Sequence, residues 1–120
     1  MKKRASFPCW LLIFFALLLT VSCRQNKGQI ILINNSNEIV KLARIEVCKQ
    51  IVEIKNIRPH EQAIGNYKVK GDDHYDILIK FASGKEIKKQ TGYVTSGFDL
   101  HQDTLSITEA DVAIVDAKVK

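Results

Sequence analysis

Tyr75-Asp76-Ile77-Leu78-Ile79-Lys80-Phe81 is the stretch that decides the fold. Tyr75, Ile77, Ile79 and Phe81 fall on alternate positions, with Asp76, Leu78 and Lys80 between them. A two-residue apolar period is that of a strand with one face on a core. Ser83-Gly84 then reads as a hairpin turn and Glu86 to Val94 as the returning strand. Upstream, Gly71-Asp72-Asp73 makes a tight connection from a strand over Gln62 to Lys70, in which Tyr67 and Val69 stand two apart.

Working outward, the same grammar repeats. Ile30 to Ile33 is a first strand, stopped at Asn34-Asn35-Ser36-Asn37, where side chains that bond their own backbone favour a turn. Glu38 to Val47 follows, with Ile39, Ala43, Ile45 and Val47 expected on one side and Val40 and Leu42 on the other. Ile51 to Ile57 is the third strand. It ends at Arg58-Pro59-His60-Glu61, because Pro59 fixes a turn dihedral and donates nothing to a ladder. Beyond Val94, Thr95-Ser96-Gly97 turns and Phe98 to Leu100 extends a strand. His101-Gln102-Asp103 reads as a loop and Leu105 to Thr108 as the next strand. Val112 to Val115 is either a last strand or part of a short helix opened by Glu109-Ala110-Asp111. No apolar stripe at helical spacing is sustained over three turns. The expectation is an all-β chain: a small antiparallel β-sandwich, Ig-like in architecture, of seven to eight short strands.

The amino end is of another kind. Met1-Lys2-Lys3-Arg4 precedes an apolar run from Phe7 to Val21, followed by Ser22 and Cys23. Those 15 apolar positions fall short of the roughly 20 residues a bilayer-spanning helix needs. A cationic start, a short hydrophobic core and a small residue before a cysteine resemble the export signal of a bacterial lipoprotein. One departure is Thr20, which stands where such signals usually carry Leu. The resemblance covers residues 1–24 and implies cleavage between Ser22 and Cys23. It also implies diacylglycerol on the Cys23 sulfur and an N-acyl chain, palmitate for example, on its new amino group. Two or three chains on one residue hold a protein on a membrane, where a single chain does not. The implied location is the bacterial cell envelope, on the periplasmic face of the outer membrane if the host is Gram-negative, since Arg24 stands where an Asp marks inner-membrane retention. The organisation is then 1–22 signal peptide, 23–28 lipidated cysteine and tether, and 29–120 a single domain.

Composition narrows the function. Three of the 18 Lys and Arg lie in residues 1–22 and none of the 13 Asp and Glu, so the remainder holds 15 against 13, a net +2. That balance, and the single dense group Lys85, Lys88 and Lys89 beside Glu86, excludes a nucleic-acid binder, which carries a clustered basic face. Cys9 leaves with the signal and Cys23 takes lipid, so Cys48 stands alone and no internal disulfide forms. Cys48 is expected as a small buried apolar group.

Four constellations bear on chemistry. Asp72, Asp73, His74 and Asp76 supply metal-ligand types, but not at the spacing of a calcium loop; with Tyr75 inward, His74 and Asp76 face solvent. His101 and Asp103 could share a strand face, yet stand in a polar run. Ser96, Ser106, Cys48 and the histidines, His60 and His74 among them, offer nucleophile and base types without a Gly-x-Ser-x-Gly elbow, a phosphate loop, a dinucleotide fingerprint, CxxC or HExxH. No metal, cofactor or catalysis is expected. Finally, Thr91-Gly92-Tyr93-Val94-Thr95-Ser96-Gly97-Phe98 reads in two ways. One is a strand bulged at Gly92 and turned at Gly97 with its aromatics buried. The other is a recognition loop presenting Tyr93 and Phe98 to a partner. The function expected is protein–protein binding from a lipid anchor, as an inhibitor or immunity-type protein does. The alternatives are a pilot or assembly subunit of an envelope machine, and a small-molecule or lipid carrier.

Overall fold

In a computed structural model the described residues, 25–120, form eight strands and no helix. They are β1 (Lys27–Asn34), β2 (Val40–Val47), β3 (Gln50–Ile57), β4 (Gln62–Lys68), β5 (Asp73–Phe81), β6 (Glu86–Val94), β7 (Leu100–Ile107) and β8 (Val112–Val119). The expected export signal, with Cys9 and Cys23, lies outside the described residues. Two four-stranded sheets, in the orders β4-β1-β7-β8 and β3-β2-β5-β6, face one another as a small β-sandwich. All pairings are antiparallel except β1 with β7. The core between the sheets is apolar: Ile30, Leu32, Ile45, Ile79, Phe81 and Leu105 are each under 2% exposed.

Several expectations are corrected, each for a physical reason. β1 begins at Lys27, inside the expected tether, because Lys27 to Ile33 pair with β4 on one side and β7 on the other. Val40, not Ile39, points inward: Val40 is 0% exposed and Ile39 43%. The cause is a one-residue bulge in β2 between Val40 and Leu42, which reverses the alternation before Ala43. The neighbouring strand reverses with it, since Asn56, at φ 58°, sits in the left-handed region that Asn tolerates. Ile57 thereby turns inward alongside Val52. The separate strands expected around Leu100 and Leu105 are one strand, β7, with His101 and Asp103 on its buried face. Val112 opens a strand rather than a helix, and Thr108 caps the turn before it through Ala110 N–H and Asp111 N–H.

The loops gather at two ends. At the far end Asn34 is fully buried and ties the 35–39 loop to the end of β3. Its Nδ2 donates to Glu38 O (2.8 Å) and Ile57 O (2.9 Å), and its Oδ1 accepts from Ser36 N–H (3.0 Å). The near end, from which residues 25 and 26 enter, carries the 48–49, 69–72 and 95–99 connections. There Cys48 and Lys49, at φ 51° and 60°, form a two-residue hairpin loop with both central residues left-handed. Asp73 braces it, its Oδ2 accepting Cys48 N–H at 2.6 Å.

Candidate functional site

Inside the near half of the sandwich the apolar core gives way to a polar chain that joins the sheets. Tyr67 on β4, Tyr75 on β5, and His101 and Asp103 on β7 are all under 9% exposed. Tyr75 donates from its hydroxyl to Asp103 Oδ2 at 2.5 Å, and His101 Nε2 stands 2.9 Å from the same oxygen. The Tyr67 and Tyr75 hydroxyls are 2.9 Å apart, their rings edge to face at 6.1 Å. The Tyr67 ring occupies the space over Gly28, where a Cβ would lie 2.2 Å from ring carbon. Burial pushes the Tyr67 hydroxyl up to about 12. Burial and then the Asp103 bond push Tyr75 further in the same direction. Both phenols are therefore held protonated as donors. Nδ1 of His101 is buried with no partner among the described residues. The chain is closed off from solvent, so its role is to fix β5 of one sheet against β7 of the other.

The surface places the other candidates. Asp72, Asp73, His74 and Asp76 do not converge, and no three metal-ligating side chains meet among the described residues. Asp72 accepts from Ser96 N–H (3.0 Å) and from the Tyr93 hydroxyl (3.2 Å), which holds its carboxyl below the usual range. Asp73 accepts His74 N–H and Cys48 N–H and is lowered for that reason. His74 and Asp76 stand outward together and meet at Gln90, whose Nε2 reaches Asp76 Oδ1 at 3.0 Å and His74 Nε2 at 2.7 Å. Ser96 holds the 95–99 loop and Ser106 accepts from Asn35, and neither serine hydrogen-bonds a histidine among the described residues. Cys48 is buried, its sulfur accepting Lys70 N–H at 3.5 Å.

Gly92 does bulge β6, at φ 86°, and Gly97 does turn, at φ 96°. The aromatics are not buried, however: Tyr93 is 67% and Phe98 38% exposed. The bulge slips β6 by one residue between its Asp73 and Tyr75 pairings, which turns Tyr93 out while Val94 stays in the core.

The two outer faces differ in kind. Across one sheet the row Ile64–Ile31–Thr104 is uncharged and ends on Asp116 of β8. On the other, Arg44–Leu78–Lys88 forms one cross-strand row and Glu46–Asp76–Gln90 the next. These six side chains line a shallow groove of about 450 Å³. Sequence reasoning named none of them as a site except Asp76, because alternating charged residues on a strand read as an ordinary solvated face. Register alone sorts them into a cationic row, met at its β3 end by Glu53 opposite Arg44, and an anionic row.

No protein-family model matches the chain, and no curated protein matches it. Among solved structures it is similar to the NMR structure of a protein from Eubacterium rectale, with TM-score 0.57 and 14% identity over 80% of this chain and 95% of that one. That likeness shows the fold, a small β-sandwich. Weaker matches are pneumolysin (TM-score 0.39, 9% identity) and a disulfide-locked mutant of intermedilysin with human CD59 (TM-score 0.36, 10% identity). Each covers 78% of this chain, which spans 24% of those chains, and neither carries any argument at that score.

Proposed function

We propose that the chain is a lipid-anchored protein of the bacterial cell envelope that acts by binding a protein partner, without catalysis. The tether rests on the Cys23 signal, and the binding on the groove across β2, β5 and β6. The groove is the observation that carries the reading. Leu78 lies between Arg44 and Lys88, next to the like-charged neighbours Glu46 and Asp76. Like charges placed opposite one another cost stability, and a partner of complementary pattern removes that cost while covering Leu78. Charge complementarity of this kind selects partners and speeds their encounter. An inhibitor or immunity-type protein has that task. Carriage of a lipid or small molecule is less well supported, because its chamber would lie between the sheets, where the apolar core already fills the space.

The assembly-subunit alternative keeps one specific observation. Among the described residues β8 is an edge strand with no outer partner, on which Val115 is 60% and Val119 47% exposed, and an open edge accepts a partner strand.

Photo-crosslinkers placed at Leu78 and Lys88, and in parallel at Thr104 and Val115, test these readings in living cells. A discrete adduct from the first pair that Arg44→Glu abolishes is the expected result. Adducts from Val115 alone would transfer the function to the edge. The tether is tested separately by mass spectrometry: a chain beginning at Cys23 with added acyl mass is expected, and an unmodified chain refutes it.

A further inference from the structure

The two ends of the sandwich carry opposite charge. At the end where residues 25 and 26 enter, Lys27, Lys49, Lys68, Lys70 and Lys120 are all exposed, and none makes an ion pair among the described residues. Lys27 and Lys68 stand directly opposite each other across β1 and β4, an arrangement that costs stability unless an anion is shared. The aspartates there are already engaged: Asp72 by Ser96 and Tyr93, Asp73 by Cys48 and His74, and Asp99 by Gln25 N–H. The far end is the reverse, with Glu38, Glu61, Glu109 and Asp111 in its loops against Arg58 and Lys85.

Two further features share the lysine end. Phe98, in the 95–99 loop, is 38% exposed, and Tyr93, at the end of β6, is 67% exposed and tied by its hydroxyl to Asp72. The chain also departs here toward Cys23: Asn26 O accepts Val69 N–H at 2.8 Å, and Gln25 is held on Asp99.

We propose that this end of the domain docks on an anionic lipid surface, with the five lysines on the headgroup phosphates and Phe98 in the interfacial layer. The proposal rests on the lipid-tether reading for bringing the membrane within reach. The lysines are spread around the end of the sandwich rather than gathered in a cleft, and no arginine fork lies among them in the described residues. Dispersed ammonium groups suit a diffuse layer of negative charge. Exposed aromatics suit the boundary between headgroup and acyl chain. Docking leaves the groove on β2, β5 and β6 turned to the side, free for a partner.

The test uses the protein recovered from membranes as a Trp10→Phe/Phe98→Trp variant, so that position 98 holds the sole tryptophan. It is reconstituted into neutral phosphatidylcholine vesicles and into vesicles containing phosphatidylglycerol, both with brominated acyl chains. The expected result is flotation with both kinds and quenching at position 98 in the anionic ones alone. Raised salt should reverse that quenching, because it screens exposed charges. Lys27→Gln with Lys68→Gln should weaken docking about 25-fold, at roughly fivefold for each lysine near an anionic surface. Flotation with both but no quenching overturns the docking and leaves the tether standing, as does equal quenching in both. Failure to float with neutral vesicles overturns the tether. Docking then stands only if salt-sensitive binding and quenching persist on the anionic vesicles, and falls if they do not.

Discussion

Replacing Tyr75 with Phe keeps a ring that is 0% exposed and deletes one oxygen, so apolar burial is unchanged and the loss is confined to the polar chain. That oxygen donates to the Asp103 carboxylate at 2.5 Å, and a hydrogen bond to a charged group contributes about 1.5–3 kcal/mol. It also partners the Tyr67 hydroxyl at 2.9 Å, whose loss adds about 1 kcal/mol. The expected cost is about 3 kcal/mol, a large share of the roughly 5–15 kcal/mol that holds a domain together. In urea, with a slope of about 1–1.5 kcal/mol per molar for a chain this small, the midpoint should fall by about 2–3 M at unchanged slope. Tyr67→Phe is the control, because it removes only the neutral hydroxyl pair and should cost about 1 kcal/mol. A Tyr75→Phe loss below about 0.5 kcal/mol, or equal losses from both variants, would refute the claim that the Asp103 bond locks the sheets together.

Alkaline pH should act through the same residues. Tyr67 ionises near 10 when unfolded but at about 12 when folded. Its contribution is therefore complete below pH 10 and is lost as pH climbs to 12, by about 3 kcal/mol in all. Urea midpoints across that range should show the fall, and Tyr67→Phe should lessen it. Gly92→Ala should cost about 2–4 kcal/mol, since φ is 86° and the new Cβ would stand 2.7 Å from the Tyr75 ring and 2.9 Å from Ile114 Cδ1; a neutral effect in thermal melts argues against the bulge. Val40→Ala should cost about 1–3 kcal/mol and Ile39→Ala under about 0.5 kcal/mol, and the reverse order in denaturant titrations would show that β2 does not slip between Val40 and Leu42.

Much of the fold was legible because it is written in local periods. β6 lies where Ser83-Gly84 placed it, at Glu86–Val94, and β5 ends at Phe81 as alternation placed it but starts at Asp73, inside the expected turn. What misled the reading was alternation applied through a bulge. Ile39 and Ala43 share a parity, yet one extra residue in β2 puts only Ala43 inside. His101-Gln102-Asp103 misled it for another reason: a polar run reads as a loop until something buried needs polar partners. Here Tyr75 arrives from the opposite sheet, 28 residues away along the chain, and makes Asp103 an interior group. Tyr93 and Phe98 were noticed in sequence, but their exposure follows from the Gly92 slip and the Gly97 turn.

The sequence by itself determined that residues 25–120 form an all-β domain with Cys48 buried. Those properties depend on residues within a few positions of one another, through side-chain alternation and turn geometry. Which strands share a sheet, which charges form a row, and which lysines gather at one end were decided by tertiary structure alone. Strand register joins positions tens of residues apart, such as Lys27 with Lys68 and Arg44 with Leu78, and only the closed sandwich sets them side by side.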